Sequence, residues 1–219
     1  APVGASWLGR AVARRVNHGA AIIGYHGVAN KVSDPKIEAL QVDANLFEQQ
    51  MAYLSKHYQV ISLDHLSDCL SQGYGLDPSH VVITFDDGYE NVADVAAPIM
   101  NSLDLPFAVF ITTHNVTTGE RFAGYLARCA FAHTESDRVE FPSIGLSFDL
   151  ASNDARGQAQ SAVSKAVKNQ PMRVVAMLID EILAMLPEHR WRELNEQYAS
   201  EGPMTWDDVI ELHRAGATI

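Results

Sequence analysis

Three apolar segments in the first half of the chain have the pattern of β-strands: residues 20–28, 81–85 and 105–113. Residues 81–85 form a Val, Ile, Thr and Phe run without polar alternation, which is typical of a strand buried on both faces of a parallel sheet or barrel. Helical patterns separate the segments. This alternation of strand and helix predicts an α/β protein with right-handed crossovers.

Capping residues mark the helices between these segments. Asp43 is predicted to cap a helix whose apolar residues recur every three or four positions. Ser62 is predicted to cap the next helix, which Gly73 ends. After the second strand, a helix over about 90–103 is expected to kink at Pro98 or to have an early boundary there, because proline lacks an N–H group.

Residues 117–203 have the pattern of a helical insertion between two strands of a barrel. Residues 151–170 are small and polar, which predicts a mobile connection or a weak helix. Pro171 is suited to the first turn of a helix with a broad apolar face. The apolar stripes of this region are interpreted as packing surfaces rather than a groove for a partner.

The last element is a helix that leads into a strand. Thr205 and Asp208 form a variant of the capping box at its start. Trp206, Val209, Ile210 and His213 are predicted to share one face. Gly216 is the expected stop, and the three residues that follow it look like the beginning of another strand.

Charge and composition exclude some classes of partner. The 219 residues carry a net charge of -11 without a basic cluster, so nucleic acid and anionic membranes are not expected to bind. No apolar run approaches the roughly 20 residues of a membrane helix. No signal peptide pattern is visible, which favours the cytoplasm and leaves the periplasm open. Cys69 and Cys129 are expected to be buried, reduced thiols.

Polar residues of chemical interest lie at the ends of all three predicted strands. Asp86 and Asp87 cannot both be core residues, because unpaired charge is costly to bury. Gly88 permits a tight turn and the close approach of a ligand. The sequence leaves open whether His26 carries protons in a site or is a hydrogen-bonded histidine at a strand end. For His114, a solvated loop residue is the favoured interpretation.

The string Thr-Phe-Asp-Asp-Gly at 84–88 resembles the first motif of the polysaccharide deacetylases, the NodB-like hydrolases of carbohydrate esterase family 4. The Tyr-His pair at 25–26 is similar to an element of one branch of this family, and residues 204–219 are similar to the helix that precedes its second motif. The resemblance implies a distorted (β/α) barrel of about seven strands when complete. Residues 1–219 would then be the N-terminal portion of one such domain, with the insertion at about 117–203.

The resemblance also implies the roles of particular residues. Asp86 would be the general base that takes a proton from water, and Asp87 would hold one divalent metal ion, zinc or alternatively cobalt or nickel. The two remaining ligands would be histidines of the second motif, expected beyond Ile219, and a histidine of a later motif would be the general acid. Four further residues would line the substrate site: Tyr25, His26, Gly88 and His114.

Hydrolysis of acetamide groups on an N-acetylated polysaccharide or glycan is the function that the resemblance implies. Acetate and a free amino sugar would be the products. Two alternatives remain open. In the first, the chain would be a deacetylase-like barrel that binds a glycan or a protein without catalysis. In the second, it would hydrolyse a small cyclic amide. The sequence gives no indication of the oligomeric state.

Overall fold

The computed structural model describes residues 19–219, which form two compact units. The first unit comprises the described part of Ala1–Val32 together with Leu40–Gly119 and Pro203–Ile219. The second unit comprises Ser33–Ala39 and Glu120–Gly202. The chain order is β1 (Ala21–Tyr25), β2 (Gly27–Ala29), β3 (Gln41–Asp43), α1 (Ala44–His57), β4 (Gln59–Val60), α2 (Leu63–Gln72), β5 (His80–Phe85), a π-helical turn (Val92–Ala96), α3 (Ala97–Ser102), β6 (Ala108–Val109), α4 (Thr113–Thr118), α5 (Ala123–His133), β7 (Arg138–Phe141), β8 (Leu146–Asp149), α6 (Asn153–Asn169), α7 (Met172–Leu183), α8 (Glu188–Gln197) and α9 (Trp206–Arg214).

A parallel sheet centred on β5 forms the middle of the first unit. Strand β5 pairs along its length with β1, at its beginning with β4 and at its end with β6. Thr218 continues the sheet beside β6, because it accepts a hydrogen bond from Val109 N (2.8 Å) and donates one to Phe107 O (3.1 Å). The α/β class is therefore confirmed. Residues 19–219 close no ring of strands, so the barrel remains a prediction.

The burial predicted for β5 is confirmed. The side chains of Val82, Ile83 and Phe85 have no exposed surface, and Phe85 packs against the rings of Phe47 and Phe107. An uninterrupted apolar strand fits this position, because both faces of the strand are buried from Val81 to Phe85.

Two of the predicted strands have different bounds in the structure. Residues 20–28 are not one strand: β1 ends at Tyr25, and β2 then pairs with β3 in a separate two-stranded sheet. The strand predicted over 105–113 is reduced to Ala108–Val109. At its start, the N–H of Leu105 bonds back to the carbonyl of Met100 at the end of α3, and at its far end α4 begins.

The predicted caps of α1 and α2 are confirmed. Asp43 accepts a hydrogen bond from Asn45 N, and Ser62 accepts one from His65 N. The helix predicted over 90–103 is instead divided into a π-helical turn and the short helix α3. Pro98 has no N–H to donate, which favours such a break.

The second unit contains four helices and one β-hairpin among its described residues. The hairpin of β7 and β8 corrects the interpretation of residues 117–203 as entirely helical. Its first strand alternates exposed and buried residues, a pattern typical of a strand, and Gly145 turns the chain with φ 64°. Residues 151–170 are mostly a regular helix, α6, which Ser152 caps. The unit also includes Ser33–Ala39, which the sequence did not indicate.

Helix α9 has the predicted capping box between Thr205 and Asp208. Of the four residues predicted to share a face, only Val209 is buried, whereas Trp206, Ile210 and His213 are exposed. The other buried apolar residue of the helix is Leu212, which was not predicted. Cys69 and Cys129 are both buried and free, as expected. Within residues 19–219, none of the helices has the length and apolar character needed to cross a bilayer.

Candidate active site

The turn after β5 directs two neighbouring carboxylates away from the end of the strand. The N–H of Asp86 still donates to the carbonyl of Tyr25 (2.8 Å), so Asp86 remains in register with β1. Asp87 then adopts φ 71° and Gly88 φ 81°, both in the left-handed region. The two carboxylates have different neighbours: Asp86 Oδ2 lies near Gly24, and Asp87 Oδ2 lies near His26. This geometry allows Asp86 and Asp87 to have separate roles.

Two other segments of the first unit hold this turn. Thr112 donates to the carbonyl of Asp87 from its N–H (3.1 Å) and from Oγ1 (2.8 Å). Met204 N donates to the carbonyl of Gly88 (2.9 Å). A Cβ atom on Gly88 would lie 3.1 Å from Cγ2 of Ile111, so a larger residue would be crowded as well as strained. Hydrogen bonds and packing therefore fix the turn.

His26 lies beside this turn. Its Nε2 atom is 3.9 Å from Oδ2 of Asp87, and both side chains are about one-third exposed. The ring of His26 also meets the ring of Tyr89 edge-on, with 6.5 Å between the centroids. The Asp86 carboxylate lies over Gly24, because a Cβ there would be 3.8 Å from Asp86 Oδ2. The structure thus brings His26, Asp86 and Asp87 together at the carboxyl ends of β1 and β5.

The side chain of Tyr25 packs into the core. Its ring is edge-on to that of Phe47 at 5.1 Å, and its hydroxyl donates to Oε1 of Gln50 (2.8 Å). Burial raises the pKa of this phenol above its usual value. The contribution of Tyr25 to the carboxylate turn is its backbone carbonyl, which bonds to Asp86.

His114 does not follow a strand directly, contrary to the prediction. Strand β6 ends at Val109, and His114 is the second residue of α4, where its side chain is exposed. This helix is tied to the carboxylate turn through Thr112. The role of His114 in lining the site stays a prediction.

Sequence reasoning missed two buried amides next to His26. Gln41 and Asn91 bond to each other and lie against Gly27, the residue that follows His26. Asn91 comes only four residues after Asp87, which was a local signal. The pairing with Gln41, 50 positions away along the chain, had no such signal.

The described residues do not complete a metal site. Among residues 19–219, no three His, Cys, Asp or Glu side chains are grouped so that they could hold a metal ion. A catalytic zinc ion usually has three protein ligands. Asp87, with His26 nearby, therefore supplies only part of such a set.

Enzymes built on parallel β-strands place their active sites at the carboxyl ends of the strands, which is where these two carboxylates lie. The chain belongs to the polysaccharide deacetylase family. The model of that family, described as polysaccharide deacetylase, matches residues 74–219, more than half of the chain. The matched range contains Asp86, Asp87 and Gly88.

Individual relatives are more distant. A poly-β-1,6-N-acetyl-D-glucosamine N-deacetylase of Escherichia coli (strain K12) is 28% identical over 91 residues, which are 41% of this chain and 13% of the relative. This chain therefore matches a small part of that protein. Among solved structures, a de-N-acetylase from Aggregatibacter actinomycetemcomitans is 16% identical, with a TM-score of 0.42 over 76% of this chain and 84% of the other. The deacetylase PplD from Streptococcus pyogenes, in complex with acetate, is 20% identical, with a TM-score of 0.40 over 76% of this chain and 81% of the other.

Proposed function

We propose that this protein is a hydrolase that removes N-acetyl groups from an N-acetylated polysaccharide and releases acetate. The observation that carries the proposal is the left-handed turn after β5, which follows Asp86 directly and leaves the carboxylate of Asp87 partly exposed beside His26. Membership of the polysaccharide deacetylase family supports the choice of substrate class.

Asp86 is proposed as the general base. In the reaction, the oxygen of a water molecule forms a bond to the acetyl carbon, and the carboxylate of Asp86 accepts a proton from that water. The bond between the acetyl carbon and nitrogen then breaks, and the amine leaves with a proton from a general acid. The hydrogen bond from Asp86 N to Tyr25 holds the backbone of the base in register while the proton moves.

Asp87 is proposed as one ligand of a divalent metal ion, zinc or alternatively cobalt or nickel. Such an ion supplies Lewis acidity, which polarises a carbonyl and lowers the pKa of water. His26, 3.9 Å from Asp87, is proposed to orient that carboxylate. Gly88 has no side chain to obstruct the substrate beside the turn.

Release of acetate from poly-N-acetylglucosamine and from chitin oligomers, measured with added zinc, cobalt or nickel and with a chelator, tests this function. The substitution Asp86→Asn should lower the rate at least about 100-fold and leave metal binding intact. Asp87→Asn should lower both the rate and the zinc content. Asp68→Asn, an exposed aspartate of α2, is the matched control and should change neither.

The same experiment separates the two alternatives. Binding of the glycan without release of acetate at any metal concentration would favour a deacetylase-like binding module. Opening of a small cyclic amide such as a hydantoin, with no activity on the polysaccharide, would favour the cyclic-amide hydrolase. Full activity in Asp86→Asn would contradict the role of this residue as the base.

A further inference from the structure

We infer that the paired amides of Gln41 and Asn91 are positioning residues that set the place of His26 relative to Asp87. This inference rests on the proposed function, because it assumes that His26 and Asp87 act in the same site. The contacts that carry the inference join Gln41 and Asn91 to each other, to Val28 N and to the backbone at Gly27. The effect of the two amides would pass through the backbone that follows His26, at Gly27 and Val28.

The two amides form a buried link between separate parts of the first unit. Asn91 Nδ2 donates to Oε1 of Gln41 (2.7 Å), and Asn91 Oδ1 accepts from the backbone N–H of Val28 (3.2 Å). Both side chains are less than one-tenth exposed. Because a buried polar group is costly when its partner is removed, this arrangement strongly favours one position of the strand β2.

The amide pair lies against the backbone at Gly27. A Cβ atom at this position would be 2.2 Å from Oε1 of Gln41 and 2.7 Å from Oδ1 of Asn91. Real Cβ atoms do not approach other atoms so closely, so any other residue would displace the pair. The chain at Gly27 and the two amides thus fit one another closely.

The amide pair is connected to both His26 and Asp87. His26 lies between Tyr25, whose carbonyl bonds to Asp86, and Gly27, which is covered by the amides. Asn91 follows Asp87 by only four residues, so its side chain ties the segment after the carboxylate turn to the segment after His26. A shift of this link would change the 3.9 Å separation between His26 and Asp87.

Two readouts test this inference, one of which needs no activity. The first is the set of ring ¹H–¹³C NMR signals of His26 in the metal-free protein, assigned by their loss in His26→Ala. Asn91→Leu removes the amide at similar volume and should move these signals. Asn91→Asp still accepts from Val28 N, and Gln41 can rotate its amide to donate to the carboxylate, so the signals should return toward their original position. Ser62→Ala, which removes a helix cap in the same unit, is the control for a general loss of stability.

The second readout is a double-mutant cycle on acetate release. Asn91→Leu should lower kcat about tenfold and leave KM within about twofold, because the substrate still binds while His26 is misplaced. In the His26→Ala background, the same substitution should cost little more. Coupling of this kind is expected only when one residue acts through the other.

Unmoved His26 signals in Asn91→Leu, or an equal loss of kcat with and without His26, would overturn the inference. If the wild-type protein releases no acetate, the proposed function fails, and the NMR signals still decide whether the pair positions His26. If Asn91→Leu does not fold, Gln41→Leu removes the same amide contact from the β3 side, and the same two outcomes apply.

Discussion

Thr112 donates two hydrogen bonds to the carbonyl oxygen of Asp87, one from its N–H (3.1 Å) and one from Oγ1 (2.8 Å). Asp87 is a non-glycine residue at φ 71°, a conformation that costs free energy and needs support from its surroundings. The two bonds supply part of that support. They also tie the end of β5 to the start of α4, so the position of the proposed metal ligand depends on a residue 25 positions further along the chain.

Replacement of Thr112 by valine should weaken the turn. Valine has nearly the same shape and retains the N–H bond, so only the bond from Oγ1 is lost. We expect the free energy of unfolding to fall by about 1 kcal/mol, measured by urea denaturation, together with slower release of acetate. Thr113→Val, at the exposed next position, is the control. Equal stability of the two variants would contradict a supporting role for the Oγ1 bond.

Gly88→Ala should destabilise the protein more than Gly73→Ala. Both glycines have positive φ, 81° and 71°, so alanine is strained by about 1–2 kcal/mol at either position. Gly73 is open, with nothing within 4 Å of an added Cβ, whereas Gly88 faces Cγ2 of Ile111 at 3.1 Å. Urea denaturation of both variants measures the difference, which reports the crowding alone.

The crowding at Gly88 should be relieved by a second substitution. Ile111→Ala removes the Cγ2 atom, so Gly88→Ala should cost less free energy in that background than in the wild type. Costs that are the same in both backgrounds would show that backbone strain, rather than contact with Ile111, limits this position.

The ion pair of Arg128 and Glu201 should contribute strongly to the stability of the second unit. Glu201 is fully buried, and the side chain of Arg128 is only 10% exposed. Glu201→Gln should lower the free energy of unfolding by about 3 kcal/mol, because it leaves a buried guanidinium without its counter-charge. The combined substitution Arg128→Met and Glu201→Leu should recover much of this loss.

An exposed ion pair of the same unit provides the comparison. The side chains of Arg138 and Glu140 are 69% and 64% exposed. Glu140→Gln should change the free energy of unfolding by less than about 0.5 kcal/mol, because water screens the pair. Thermal unfolding of the variants at one protein concentration measures both effects. A similar loss at the two sites would contradict the importance of burial.

Stability should fall at alkaline pH because of Cys129. Burial raises the pKa of this thiol to about 11 from an ordinary value of 9.0. The unfolded chain therefore releases the proton at lower pH than the folded protein. The contribution is complete below about pH 8.5 and is lost as the pH rises to 11, by up to about 2–3 kcal/mol. Burial also raises the pKa of Tyr125, which adds an effect of the same sign above pH 10.

Urea denaturation between pH 8 and 11 measures this dependence. Cys129→Ala should flatten the fall in the free energy of unfolding, and Cys69→Ala is the control for removal of a buried thiol. Persistence of the whole fall in Cys129→Ala would exclude the thiol as its source.

The sequence by itself determined the features that depend on short-range chemistry. Asp43, Ser62 and Thr205 each accept a bond from an N–H two or three residues away, so the residue type was enough to place these helix starts. The buried strand β5 and the turn at Gly88 could also be predicted from the local sequence. An apolar run indicates a buried strand, and a glycine permits a tight turn.

Only the tertiary structure decided which distant residues meet at the carboxylate turn. The break between strands β1 and β2 at His26 exists because β2 pairs with β3. The buried amide of Asn91 bonds to that of Gln41, which lies 50 positions away along the chain. Thr112 and Met204 donate hydrogen bonds to the turn, and the sequence around them did not predict these bonds. Pairings between segments far apart along the chain depend on the packing of the whole unit. The pattern around either partner alone does not contain them.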